Sequence, residues 1–414
     1  MNQHRAGDSG PKTLVMILAG GKGKRLYPLT RYRTKAAVPF LGAYRLIDFA
    51  LSNCLHSRLR NVQLLTQHKS DSLNDHIRHG WNVFHPELEG YIKTVPPQQR
   101  LSRQWYRGTA DAVYQNLYML EREKPDLVLV LSGDQVYRMD YRPMIENHVA
   151  RGADLTVACV PRSPRHATSL GTLKTADEGR VTDFHEKPGR ARLAEQYPDD
   201  SVPCSAGIYL FRTNVLVERL IEDIKCRRTY DFGSGILPHM VKRGDHVDAY
   251  DLADHEDEGY WRDVGTVKAY WKAQMDFLHA DMPFDPADRD WPIRCRPEAP
   301  TPSRLLTGPA DAEPAVRDSM LCAGAVVRGA DISGSVIGPG AHIESGTVIR
   351  DSIIMQDVVI GPGCHITEAI IDSANHLPPS TRIGPGGTGG WGMTRGGVAV
   401  VPQRISGPQN SGSL

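Results

Sequence analysis

The chain has 414 residues, 40% of them hydrophobic and 23% charged, which fits a globular protein of two or three domains. Its 49 Lys+Arg and 48 Asp+Glu leave a formal charge of +1, so no global field draws it to nucleic acid or an anionic membrane. Any positive charge that binds phosphate has to be local. Seven cysteines (Cys54, Cys159, Cys204, Cys226, Cys295, Cys322, Cys364) include no CxxC pair, which argues against a zinc site or a disulfide framework. The first residues, MNQHRAGDSGPK, carry no apolar signal region, and no apolar run reaches membrane-spanning length. A cytoplasmic protein with reduced thiols is expected.

Residues 1–12 read as a tail. Leu14–Leu18 is an apolar run ending in Ala19-Gly20-Gly21, a buried strand entering a glycine loop. Similar runs recur at Val62–Thr66, Leu127–Leu131, Leu155–Val160 and Ile208–Phe211, with helical patterns at Ala112–Lys124 and Tyr141–Ala150. Strands alternating with helices predict an α/β domain built on a mostly parallel sheet. Residues 171–186 read as a hairpin turning at Asp177–Gly179. A helical pattern after Val264 closes this domain near residue 280, and the Pro-rich stretch 281–316 reads as a connector.

Beyond it the chain repeats. Met320, Val326, Ile332, Ile337, Ile343, Ile349, Ile354, Ile360, Ile366, Ile371, Leu377 and Ile383 follow a 6-6-5 rhythm, or 17 residues per coil. These twelve positions predict the inward side chains of a triangular parallel β-helix over 317–385, with glycine-containing corners such as Gly338-Pro339-Gly340. An antiparallel sandwich is the alternative. Residues 386–414 read as a Gly-rich, loosely packed tail.

The glycine loop carries the clearest chemistry. Gly20, Gly21 and Gly23 let backbone N–H groups approach phosphate oxygens, although a lone glycine loop is also simply a tight turn. It matches neither GxxxxGK[ST] nor the full Rossmann fingerprint. Arg25 and Lys35 add the cations that a triphosphate needs. Asp134 follows a buried strand, at the edge where open α/β sheets bind ligands. Its carboxylate suits Mg²⁺, the alternative being a helix cap. By itself Glu186-Lys187 reads as solvated surface.

Gly20-Gly21-Lys22-Gly23-Lys24-Arg25-Leu26-Tyr27-Pro28-Leu29-Thr30 resembles the signature of sugar-nucleotide pyrophosphorylases. Three further segments resemble the bacterial glucose-1-phosphate adenylyltransferases (ADP-glucose pyrophosphorylases) in particular: Arg45–Cys54, Trp105–Val113 (WYRGTADAV) and Tyr260–Thr266 (YWRDVGT). The resemblance runs in order from about residue 13 to about residue 385, with Trp291-Pro292-Ile293-Arg294 where that family's linker begins. It implies a Rossmann-like mixed sheet followed by a left-handed parallel β-helix. It also implies ATP and α-D-glucose 1-phosphate as substrates, Mg²⁺ as cofactor and ADP-glucose as product, for glycogen or a related α-glucan.

By the resemblance, Asp134 and Asp263 hold the metal, and Arg25 and Lys35 face the departing pyrophosphate. Gly108 and Thr109 border the adenine. Tyr106, Gly171, Glu186, Lys187 and Ser205 contact the sugar phosphate. A homotetramer is implied, as are sugar-phosphate activators and phosphate or AMP inhibitors, with Arg31, Arg33, Arg58 and Arg60 as basic residues near the place expected for them; each is otherwise a surface charge. The chain departs from the family pattern at Lys35-Ala36-Ala37, Leu170-Gly171, Gln135 and Asp231–Pro238, where Gly235 stands for an acidic residue. Another base or sugar, or a weakly catalytic regulatory subunit, therefore stays open. Four coils leave little room for an acyl-CoA site.

Overall fold

The computed structural model describes residues 10–404 apart from 85–89, 99, 101–103, 198–200, 228, 255–258, 297–300, 388–389 and 391. Most of the expected N-terminal tail, and the end of the chain from residue 405, lie outside the described residues. The chain divides into two compact units. One comprises residues 1–21, 47–261 and 286–293; the other comprises 22–46, 262–285 and 294–414. The boundary expected near residue 280 is thus crossed in both directions.

The first unit holds a nine-stranded sheet. Its strands are β1 (Thr13–Leu18), β2 (Asn61–Leu65), β3 (Tyr91–Val95), β4 (Leu127–Ser132), β5 (Leu155–Arg162), β6 (Gly171–Thr175), β7 (Val181–Glu186), β8 (Val202–Arg212) and β9 (Val247–Asp251). The order is β7-β6-β8-β4-β1-β2-β3, with β5 paired to β8 and β9 to β5. The half built on β4, β1, β2 and β3 is parallel, while β8 runs antiparallel to β4 and β5. The near-continuous apolar runs are explained by burial on both faces: Val15, Met16, Ile17, Val128, Leu129 and Val130 have no measurable exposure. The hairpin forms as expected, with Glu186 opposite Gly171 and the turn at Asp177–Gly179.

The helix expected over Ala112–Lys124 is instead two, Thr109–Tyr114 and Leu117–Glu123. The cause is Asn116. Its Nδ2 donates to Ala112 O at 2.8 Å, competing with the helical ladder, while its own N–H turns to Val113 O.

The second unit holds the β-helix. Three sheets of short parallel strands stack rung on rung. From Ile332 to Ile383 the expected inward residues line the core. Met320 and Val326 do not. Leu321 aligns with Ile337 and Val327 with Ile343, so the true inward positions lie one residue later. The first coil is one residue short, with left-handed corners at Gly324, Gly329 and Gly334, and a one-residue slip turns each side chain to the opposite face.

Rungs also begin inside the expected connector, at Arg304–Leu306 and Ala315–Arg317. The expected loose tail contains a hairpin: Val398–Val401 continues the third sheet beside Ala369–Ile371 and pairs back onto Met393–Arg395. Val398–Val401 is buried throughout, which explains its order. Of the Gly-rich stretch 386–390 before it, residues 388 and 389 lie outside the described residues.

Segments 22–46 and 262–285 belong to this unit because their aromatic residues pack together. Phe40 meets Tyr270 and Phe277 edge-on at 6.2 and 5.9 Å. Tyr270 Oη donates to Pro39 O, Leu41 N to Gln274 Oε1 at 3.0 Å, and Trp271 Nε1 to Asp351 O at 2.8 Å.

Candidate active site

In the first unit the glycine loop and Asp134 leave neighbouring strands at the same sheet edge. Gly133 N donates to Leu18 O at 3.1 Å and Ala19 N to Leu65 O at 3.0 Å, so the C-terminal ends of β1, β2 and β4 lie side by side. A Cβ at Gly133 would lie 2.8 Å from Ile47 Cδ1, so the Ile47 side chain would have to move to admit a larger residue. Gly21 has open space around its missing side chain, as backbone that is to meet a phosphate requires. Ser132 Oγ donates to Asp134 Oδ1 at 2.5 Å.

Gly108, Thr109 and Tyr106 surround the start of the helix Thr109–Tyr114. A Cβ on Gly108 would lie 2.2 Å from Tyr230 O, which already accepts from Ala110 N and Asp111 N. Thr109 Oγ1 donates to Asp231 Oδ2 at 2.8 Å and accepts from Phe232 N at 3.0 Å. Tyr106 Oη accepts from Asn116 Nδ2 at 2.9 Å, and burial pushes its phenol above the ordinary value.

The expected sugar side gathers at the open end of the hairpin. Glu186 lies opposite Gly171, and a Cβ at Gly171 or Gly233 would come within 3.0 or 2.5 Å of Glu186 Oε2. Two glycines thus make room for one carboxylate. Lys187 Nζ lies 2.7 Å from Glu186 Oε1. Ser205 Oγ donates to Tyr209 Oη at 3.2 Å and accepts from Gly207 N.

In the second unit three expected residues converge. Lys35, only 8% exposed, places Nζ 3.2 Å from Asp263 Oδ1. Arg25 Nη2 and Asp263 Oδ2 each lie 2.9 Å from the point where Gly265 would carry a Cβ. Gly23 adopts φ 59° at the turn into this segment, where a Cβ would strike Thr30 Cγ2 at 2.8 Å.

Sequence reasoning left Tyr209, Asp231 and Trp261 without roles, yet each touches an assigned residue or its neighbour: Tyr209 meets Ser205, Asp231 meets Thr109, and Trp261 Nε1 donates to Gln135 Oε1 at 3.2 Å. Asp231 and Trp261 were within reach, being inside the DFG and WRDVGT segments. Tyr209 gave no signal, because the bulge between Ser205 and Tyr209 is invisible in strand periodicity. At Gly235, where the family resemblance leads one to expect an acidic residue, a Cβ would lie 1.7 Å from Thr229 Oγ1, so Thr229 would have to move to admit a side chain.

Asp134 and Asp263 offer the hard oxygens that Mg²⁺ takes, and Lys35 shows that Asp263 accepts a cation. Among the described residues no cluster of three or more His, Cys, Asp or Glu could hold a metal. Each carboxylate, in its own unit, suits an ion that leans on few protein oxygens and completes its shell with water and phosphate oxygens.

Residues 14–280 match the family described as Nucleotidyl transferase, and residues 301–401 the GlmU-like C-terminal hexapeptide family. The chain is 43% identical over 380 residues to a glucose-1-phosphate adenylyltransferase of Rhodopirellula baltica, covering 90% of this chain and 85% of that one. It is 40% identical over 378 residues to glucose-1-phosphate adenylyltransferase 2 of Vibrio cholerae, covering 90% and 92%. A relative from Methylococcus capsulatus is 40% identical over 376 residues, covering 90% and 88%. Identity at this level, in order and over both units, places the chain in the glucose-1-phosphate adenylyltransferase family of nucleotidyltransferases.

Proposed function

We propose that the protein transfers the adenylyl group of ATP to α-D-glucose 1-phosphate, giving ADP-glucose and pyrophosphate, in the synthesis of glycogen or a related α-glucan. The reading is carried by the convergence of Arg25, Lys35 and Asp263, a compact two-cation, one-carboxylate cluster suited to a polyphosphate. A phosphate oxygen of the sugar phosphate attacks the α-phosphorus in line, so no protein nucleophile is needed. Catalysis is then positioning and charge neutralisation.

In this reading the backbone at Gly20, Gly21 and Gly23 lies along the triphosphate, and Arg25 and Lys35 take the charge that develops on pyrophosphate. Lys187 holds the attacking phosphate, Glu186 and Ser205 the sugar hydroxyls, and Tyr106 and Gly171 shape the wall. Gly108 and Thr109 border the adenine. Asp134 and Asp263 would hold Mg²⁺, which when bound supplies further neutralisation of phosphate charge.

Pyrophosphate release across a matrix of nucleotides and sugar 1-phosphates tests the assignment. Release should be fastest with ATP and glucose 1-phosphate in the presence of Mg²⁺. A faster pair would reassign the base or sugar, and no release with any pair would favour a regulatory subunit. Family likeness further supports a cytoplasmic homotetramer responsive to sugar phosphates, AMP or phosphate, which sedimentation and effector titration would check. Among the described residues no helix is long and apolar enough to cross a membrane.

A further inference from the structure

The sequence leaves Arg33 two readings, a basic residue near the place expected for effectors or a solvated surface charge. Its side chain is only 11% exposed, and its Nη2 donates to Asp372 Oδ1, whose side chain is 2% exposed. Arg33 Nε donates to Leu29 O at 3.0 Å, so the guanidinium braces its own loop while it engages the β-helix. Asp372 is equally fixed. Its N–H donates to Val401 O at 2.9 Å, and its Oδ1 accepts from Ser373 N at 2.7 Å. The pair joins residues 339 apart in sequence, within one compact unit.

Two residues after Arg33 stands Lys35, in a single buried turn, Lys35–Ala37. Beyond that turn Pro39 O accepts from Tyr270 Oη, and Leu41 N donates to Gln274 Oε1. Lys35 is therefore pinned on both sides. On the far side the pins are neutral hydrogen bonds to one helix; on the near side the pin is a buried, charge-assisted bond to the β-helix. A buried ion pair broken at one partner leaves an uncompensated charge, so the loop would be expected to shift to solvate Arg33.

We propose that Asp372 is a positioning residue for Lys35: the β-helix carboxylate, through Arg33, sets where the Lys35 ammonium stands. The claim rests on Lys35 acting on the pyrophosphate side of ATP. Asp372→Asn in the full-length protein should raise KM for ATP about tenfold and leave KM for glucose 1-phosphate within about twofold. Hydrogen exchange over residues 29–38 should quicken. Asp372→Glu, which keeps the charge, should recover most of the ATP effect.

A general loss of folded enzyme would lower turnover with both KM values and the exchange pattern unchanged, and that result would overturn the proposal. Lys35→Ala separates the two readings. If it leaves turnover and KM for ATP untouched, the pyrophosphate role of Lys35 fails, while the exchange of residues 29–38 still decides whether Asp372 positions the loop.

Discussion

Asp134 and Gly108 illustrate two kinds of constraint on single residues. Asp134→Asn keeps the shape and the Ser132 contact but removes the charge of the carboxylate proposed to bind the metal. Turnover should fall on the order of 10³-fold, several kcal/mol of lost stabilisation, while KM for ATP moves less than tenfold. Steady-state kinetics with saturating Mg²⁺ would show it, and equal losses in both parameters would remove Asp134 from the metal site. Gly108→Ala acts through packing. Its methyl would press on Tyr230 O, the acceptor for the first amides of the helix Thr109–Tyr114. Chemical denaturation should show a loss of about 1–3 kcal/mol, and an unchanged midpoint would mean that the Tyr230 segment yields freely.

Among elements, the β-helix was the most legible, because an aliphatic residue at every inward position is a long-range pattern that local propensity cannot imitate. The frame failed only where the first coil drops a residue, a change at the Gly329 corner that two apolar neighbours at each of 320–321 and 326–327 concealed. Strands of the parallel half were equally plain from their unbroken apolar runs. What could not be read were side chains that override a pattern, such as Asn116, and pairings across the chain, such as Arg33 with Asp372. Motif segments located Lys35, Asp134 and Asp263, whereas the spatial partners Tyr209 and Thr229 have no signature.

One feature of the β-helix is fully polar. Ser319 Oγ accepts from Ser335 N, Ser335 Oγ from Ser352 N, and Ser352 Oγ from Ala369 N, a ladder climbing one edge of the prism. Ser335 and Ser352 have no measurable exposure, so each hydroxyl stands in for water. Ser352→Ala should cost about 1–2 kcal/mol by stranding the Ala369 amide. Differential exchange at Ala369 would locate the loss, and unchanged protection there would refute it.

For the whole molecule, acid is the revealing stress. His148 is buried on the helix Tyr141–Arg151, its Nδ1 2.8 Å from Thr156 Oγ1, with Nε2 unpartnered among the described residues. Burial, with Arg212 nearby, pushes it from its ordinary 6.5 down to about 4, against weaker opposing pulls from Asp248 and Asp154. The native state thus holds this imidazole neutral where the unfolded chain would protonate it. Its contribution is fully present above about pH 6.5 and drains away as pH falls toward 4, by at most about 3 kcal/mol. His148→Leu should flatten the stability profile in that window, measured by denaturant midpoints at successive pH values. A slope equal to the parent's would assign acid sensitivity to other groups.

The returning hairpin at the end of the β-helix limits how such a chain can change length. Val398–Val401 lies parallel on Ala369–Ile371, yet its other edge is already taken by the reversed strand Met393–Arg395. No further rung can be laid on that edge in the same sense, so the hairpin closes this sheet by geometry. Growth or shrinkage through duplication is confined to the interior of the stack, and only whole turns keep every later side chain facing the same way.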